Sequence, residues 1–335
     1  MKECSIVIPT FNRSKFLKIL LKYISFSKVT CPIIVADGST DENELDENKK
    51  IIFELKKNNF EINHLIDKSF FIRRLYLASN LIKTKYCKIN TDDDLFGYEY
   101  IESSIKEFSS DKNLSAITGY NVSFHVNKKN PKKSKVVLGE KSSAIEDNII
   151  NRFRNSKFNW QPWAVYKTET IKNILQITDD ITHNFEIKNS FDEAKLIRFF
   201  SFIMKIKSLN DGKYKYINKC MNVTLYHENN WGKKHKIETF DFIFDKEFTS
   251  WLTELKKKFN YEQRIDIRLI KLALLNDKHF YNNQVQYKNV LQKISNVSMS
   301  KLLEKLNNKI NLIRDLEFFL PKDGKKIIKF IKDNL

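Results

Sequence analysis

Glycine is scarce in this chain, with seven residues in 335 and none before Gly38. A glycine-rich phosphate loop near the N-terminus is therefore missing, which argues against nucleotide enzymes built around one. Cysteine is sparse too: Cys4, Cys31, Cys87 and Cys220 include no CxxC pair. Neither a zinc site nor a disulfide framework is indicated, and buried free thiols in a reducing compartment are expected. No stretch reaches the about 18 uninterrupted apolar residues of a membrane span, and Ser5 to Ile8 is too short for a signal-peptide core. The expected location is cytoplasmic, or peripheral on the inner face of a membrane. Acid is short relative to base, 41 residues against 59, leaving a formal charge of +18. That excess implies an anionic partner, and nucleic acid, anionic lipid and nucleotide phosphates all qualify.

What is present suffices for a folded core, with 41% hydrophobic and 13% aromatic residues. The length allows one large α/β domain with an appended helical region, or two modest domains. Strand and helix patterns alternate from the start. Ser5 to Ile8 is a β-rich run stopped by Pro9, and Phe16, Leu17, Leu20, Leu21 and Ile24 follow at helical spacing. Pro32 to Ala36 is a second apolar strand, opening into Asp37-Gly38-Ser39-Thr40-Asp41. Glu61 to Ile66 reads as a third strand, Phe70 to Ile82 as a helix carrying Arg73 and Arg74, and Lys85 to Ile89 as a fourth strand. That strand runs into Asn90-Thr91-Asp92-Asp93-Asp94. Alone, such an acidic triplet reads as a turn capping the helix that begins near Tyr98. Hard oxygen ligands in a row also suit Mg²⁺ or Mn²⁺ held beside phosphates. Strands ending in polar Asp loops gather carboxylates at the C-terminal edge of a parallel sheet, where open α/β folds bind ligands.

At this point the chain resembles the family 2 glycosyltransferases of the GT-A fold. The resemblance rests on Val7-Ile8-Pro9-Thr10-Phe11-Asn12-Arg13, then Val35-Ala36-Asp37-Gly38-Ser39-Thr40-Asp41, then Asn90-Thr91-Asp92-Asp93-Asp94-Leu95 in place of the DxD motif, and extends to about Gly232. Ala36 and Asn90 stand where the family usually has acids. The resemblance implies an α/β fold with a mostly parallel, nucleotide-binding sheet flanked by helices, spanning 1–235; the helical spacing beyond it predicts a helical C-terminal region over 236–335. It implies a nucleotide-sugar donor, most often a UDP-sugar, on Pro9, Thr10, Asn12, Arg13, Asp37, Arg73 and Asp92. Arg73 or Arg74 would meet the pyrophosphate, unless both belong to a solvated helix face. Mn²⁺ or Mg²⁺ would be held by Asp93 and Asp94, with Asp92 nearer the ribose and His227 completing the shell. In Asn189-Ser190-Phe191-Asp192-Glu193, Glu193 falls where the family has its catalytic base and Asp192 on its partner. Simple N-terminal acidity of a helix is the plainer account of that pair.

Trp160 and Trp163 flank Pro162 and would hold the apolar face of an acceptor sugar, or else cover the sheet as core aromatics. Val126 to Lys141, rich in lysine, reads as an exposed loop or hairpin tip. After Glu238 apolar residues recur at helical spacing, and proline is missing from Ile237 until Pro321. The last segment, Gly324 to Lys332, is short, amphipathic and basic, which suits an anionic membrane surface, although packing onto the preceding domain explains it as well. The expected activity is transfer of a sugar to a saccharide or lipid-linked acceptor, with inversion, in bacterial surface polysaccharide or glycolipid synthesis, and with no nucleic-acid partner. The alternatives are a basic binder of nucleic acid or membrane, which has no need of acidic strand-end loops, and a nucleotidyltransferase, which the missing glycine loop disfavours.

Overall fold

The computed structural model describes residues 3–27, 29–125, 135–138, 143–155, 162–226, 245–262 and 322–334. Strand and helix alternate first: β1 (Cys4–Thr10), α1 (Ser14–Phe26), β2 (Ile33–Asp37), α2 (Glu42–Lys57), β3 (Ile62–Ile66), α3 (Phe71–Asn80) and β4 (Tyr86–Ile89). These strands lie parallel in the order β3-β2-β1-β4. Every residue of β1 and β2 is buried, as the continuous apolar runs of a sheet covered on both faces require. Leu17, Leu20, Leu21 and Ile24 of α1 are fully buried, at the i, i+3, i+4, i+7 spacing that turns one helix face to the sheet. Pro9 sits past the last β1/β4 pair, Val7 with Ile89, so its missing N–H costs that ladder nothing.

The second half is less regular. It comprises β5 (Asp94–Leu95), α4 (Tyr98–Ser110), β6 (Leu114–His125), β7 (Lys135–Leu138), α5 (Ile149–Asn155), β8 (Val165–Lys167), α6 (Thr168–Thr182), α7 (Ser190–Asp211) and β9 (Lys213–Tyr226). The sheet continues from β4 as β8-β6-β9-β5, with β7 on β6, giving nine strands. Here β8 runs antiparallel to both β4 and β6, β5 is antiparallel to β9, and β6 and β9 are parallel. The α/β architecture is consistent with a GT-A-like nucleotide-binding fold. Its sheet is wholly parallel in the first half and mixed in the second. Every antiparallel pair of described strands involves one of the short strands β5, β7 and β8. The lysine-rich 126–141 segment contains β7, which pairs antiparallel with β6 in a register running from Val122 with Leu138 to His125 with Lys135.

All four cysteines are buried and free. Of the C-terminal region, two helices are described, α8 (Lys246–Glu262) and α9 (Lys322–Asn334); the remainder, with the 235/236 boundary, lies outside the described residues. On α8, Phe248, Trp251, Leu255 and Phe259 are buried, with Trp251 against Phe185 and Phe199. None of the described helices is long and apolar enough to cross a membrane. The apolar face of α9 is not available to a bilayer either: Ile327, Ile328 and Ile331 are at most 2% exposed, and Phe330 packs on Tyr23 and Phe26 of α1. Packing thus accounts for the apolar half of that amphipathic pattern.

What fixes α9 in place is one buried carboxylate. Asp323 accepts from the Tyr120 hydroxyl at 2.6 Å, from Cys220 N–H at 2.8 Å and from Gly324 N–H at 2.9 Å. Removing it strands a buried hydroxyl and a buried strand amide. Asp323→Ala is therefore expected to lower the unfolding free energy by about 2–4 kcal/mol in urea denaturation. A loss under about 0.5 kcal/mol would show that α9 is not docked in solution.

Candidate functional site

The carboxyl ends of β1, β2 and β4 deliver three polar loops to one edge of the sheet, and side-chain bonds tie them together. The tie between the first two is Asn12, whose φ of 49° lies in the left-handed region that asparagine tolerates better than most residues. Its Oδ1 accepts from Thr40 N–H and Asp41 N–H at 2.9 and 3.1 Å. Its Nδ2 donates to Thr40 Oγ1, and its own N–H to Ser39 Oγ. In this structure Asn12 staples the β1 loop to the β2 loop.

Asp37 closes β2. Its carboxylate is fully buried and receives Ser39 N–H at 2.9 Å, the Asn48 amide at 2.9 Å and His64 Nε2 at 3.0 Å. Burial opposes its ionisation, but these donors outweigh it and hold the carboxyl below its ordinary range. The resemblance places Asp37 on the nucleotide donor; in the structure its carboxylate turns inward and organises the loop. Asn48 and His64 were missed in the sequence because each reads as an ordinary helix or strand residue.

The third loop carries the acidic triplet, and its three members have different surroundings. Asp92 accepts from Thr10 Oγ1 at 2.7 Å and lies 3.3 Å from the Arg13 guanidinium. Asp93 takes the other arm of Arg13. Asp94 faces inward, accepting from Thr91 Oγ1 at 2.6 Å and Asn222 Nδ2 at 3.2 Å, and it begins β5, paired with Thr224 of β9. The Asn90 amide bonds the carbonyls of Thr91 and Asp94, so the residue in place of the family's first acid shapes the turn. Beneath the turn lies Lys88, fully buried, donating to the Trp163 carbonyl at 2.6 Å. Desolvation pushes that amine down to about 7.

Arg73 and Arg74 part company. Arg73 pairs with Asp179 of α6 and is half exposed, so it is not directed to the strand ends. Arg74 is 4% exposed and lies so close to Gly38 that a Cβ there would fall 1.7 Å from its guanidinium. It donates to the Ser69 carbonyl at 2.9 Å, and its buried Nε has no hydrogen-bond partner among the described residues. Desolvation is the main influence on it, lowering its pKa against the opposing fields of Asp37, Asp67 and Asp92. A buried cation with an unused donor beside two acidic loops is suited to an anion.

Among the described residues no three His, Cys, Asp or Glu side chains converge as a metal-ligand set. A Mg²⁺ or Mn²⁺ ion bound through one or two carboxylates and completed by phosphate and water oxygens needs no third protein ligand, and Asp92 and Asp93 fit that chemistry. On the acceptor side, Trp163 is partly buried against the core, while Trp160 and His227 lie outside the described residues. Asp192 and Glu193 occupy the first turn of α7. Asp192 accepts from Lys188 N–H at 3.1 Å and lies 3.7 Å from Lys195. Lys195 is 3% exposed and also meets Asp245 and Glu247 at 3.1 and 3.0 Å.

No protein-family model matches the chain, and no curated protein does either. Among solved structures, the chain is similar to S. aureus TarS at 15% identity, over 78% of this chain and 44% of that one, with a TM-score of 0.45; it thus spans less than half of that protein's length. It is similar to TarS 1–349 in complex with UDP-GlcNAc at 13% identity, over 82% and 79% of the two chains, with a TM-score of 0.46. For TarS 1–349 in complex with UDP the values are 14%, 79%, 76% and 0.44. Likeness at this level assigns no role to any residue.

The inward Asp94 gives a test of this geometry. Burial, then the neighbouring Asp93 charge, raises its carboxyl above the ordinary range near 4. The folded state then holds more protons than the unfolded one, so this group's contribution to stability falls as pH rises from that range toward neutrality. Asp94→Asn should therefore gain melting temperature relative to the parent progressively between about pH 4 and pH 7. A difference constant across that window would place Asp94 in solvent.

Proposed function

We propose that the chain is a metal-dependent, inverting glycosyltransferase of the family 2 kind, taking its sugar from a nucleoside diphosphate donor, most readily a UDP-sugar. The observation that carries this reading is the meeting of Thr10, Arg13, Asp92 and Asp93 at the ends of β1 and β4, with Arg74 buried beside the β2 loop. A nucleoside diphosphate needs cations for its phosphates and a rigid polar rim for its ribose and base, and strand-end crevices of α/β sheets supply both. Arg13 and Arg74 are assigned to the diphosphate. Asp92, with Thr10, is assigned to the ribose side.

Asp93, aided by Asp92 or Asp94, would hold Mn²⁺ or Mg²⁺. When bound, the ion would supply Lewis-acid stabilisation of the leaving diphosphate. The rest of the chemistry belongs to the chain. The acceptor hydroxyl gives its proton to the Glu193 carboxylate as its oxygen bonds the anomeric carbon from the face opposite the donor. The bond from that carbon to the diphosphate breaks, and its electron pair stays on the phosphate oxygen, where Arg13 and Arg74 stabilise the charge. Trp163, with Trp160, is assigned to the acceptor, a saccharide or lipid-linked saccharide of bacterial surface polymer or glycolipid synthesis.

Calorimetry against a panel of nucleoside diphosphates tests the donor crevice directly. Arg74→Met should weaken UDP binding at least about tenfold, the worth of one charge-assisted hydrogen bond. Gly38→Ala should weaken it as well, because the new methyl displaces the guanidinium without removing its charge. If the parent chain binds no nucleotide, or if both variants bind as it does, the crevice is not a donor site.

Turnover of a nucleotide sugar tests the base. Glu193→Gln should lower it by about two to four orders of magnitude while donor binding persists. Loss with Asp192→Asn and retention with Glu193→Gln would move the base one residue upstream; retention by both would leave this pair as the start of a helix.

A further inference from the structure

Two helices distant in sequence expose lysine stripes that converge on one aromatic contact. On α1, Lys15, Lys18 and Lys22 are exposed at three- and four-residue spacing, and the stripe ends at Phe26, which is 69% exposed. On α9, Lys322, Lys325, Lys326 and Lys329 are exposed, at the same helical spacing. The stripes meet where Phe330, next to Lys329, packs on Phe26 with ring centroids 5.4 Å apart. Helix α1 contains no acidic residue, and on α9 the one exposed acid is Asp333, since Asp323 is buried.

We propose that this face, formed by α1 and α9 together, docks on an anionic lipid surface, with the lysines at the headgroups and Phe26 entering the headgroup–acyl boundary. On these two helices seven exposed lysines stand against one exposed acid, with Glu47 of α2 beside Lys18, and that excess gives the charge complementarity. Each lysine near such a surface multiplies partitioning about fivefold, and an exposed ring beside them adds an apolar anchor. The composition favours lipid over nucleic acid. The cations are all lysine, a point charge on a flexible stem, rather than the arginine forks that phosphodiester recognition prefers. The face also has one exposed aromatic rather than an interleaved series on which bases would stack. It differs from the amphipathic-helix picture drawn from sequence, because the isoleucines of α9 are spent on the protein core. Since α1 spans about 20 Å and Arg13 stands at its other end, docking would bring the strand-end crevice near the membrane. The proposal does not otherwise depend on the catalytic reading.

The full chain should be co-sedimented with phosphatidylcholine vesicles and with vesicles containing about one third phosphatidylglycerol, at low salt and at roughly 0.5 M NaCl. Binding is expected only to the anionic vesicles at low salt. The triple variant Lys22→Glu/Lys326→Glu/Lys329→Glu should lose at least about tenfold in partitioning, and Phe26→Ser should lose several-fold, each with an unchanged melting curve. The control Lys49→Glu/Lys50→Glu/Lys56→Glu carries the same charge change on exposed positions of α2 and should bind like the parent. Absence of binding to anionic vesicles overturns the proposal. So does equal loss in the control, which would reduce the effect to net charge, and so does retained binding in the triple variant. Displacement from the vesicles by an RNA oligonucleotide at equal phosphate concentration would reassign the face to nucleic acid.

Discussion

The Arg13 guanidinium between Asp92 and Asp93 is the interaction on which the strand-end edge depends. Three consecutive carboxylates within 8% exposure repel one another and each loses hydration, so the turn can be packed only if counter-charge is built in. Arg13 supplies it from the N-terminus of α1, bonded to two of the three acids. Its own charge is favoured because Asp92 and Asp93 outweigh the cost of its burial. The same contact joins the end of β1 to the end of β4, two strands already paired in register. A ligand offering phosphate oxygens or a divalent ion would compete for the same charges, which makes the edge responsive and not merely rigid.

Behind that edge stand supports from the far end of the chain. Gly97 bonds the Cys220 carbonyl at 2.9 Å, and a Cβ there would fall 2.3 Å from that oxygen, so only glycine lets the acidic turn lie against β9. Two residues along β9, Asn222 holds Asp94. The amide of the same Cys220 is held by Asp323 of α9. A helix near the C-terminus therefore fixes the strand that carries the turn, and through Phe330 it also packs on α1, the helix that carries Arg13. Displacement of α9 would loosen both members of the Arg13–acid contact together.

Much of the first half was legible because its signals are local. Continuous apolar runs mark β1 and β2, and each ends in a polar cluster that the sheet edge must expose; the order of Thr10, Arg13, Asp37 and the Asp92–Asp94 triplet then puts them on one side. The partners of those residues were not legible, because sequence distance hides them. Asn222 reaches Asp94 across 128 positions, and Asp323 reaches Tyr120 across 203. The strands β5 and β8 are too short for periodicity to show, so the mixed half of the sheet could not be read. Lys88 did leave a trace, as a lysine inside an apolar strand, but only the structure shows the Trp163 carbonyl that receives it.

In the α7 pair, Asp192 is engaged by a buried lysine, a partnership that spacing does not reveal. Lys195 is nearly sealed from solvent, with Phe185, Phe191 and Trp251 rings within 6 Å of its amine. A buried ammonium must be paired, since removing one partner leaves an uncompensated charge. Asp192, Asp245 and Glu247 share that duty and so join α7 to α8. Asp192 is thereby committed to holding a helix junction, and protonating it during a reaction cycle would weaken the counter-charge of Lys195. A base must gain and release a proton at each turnover without unsettling its scaffold. That requirement argues against Asp192 as the proton acceptor of the proposed transfer.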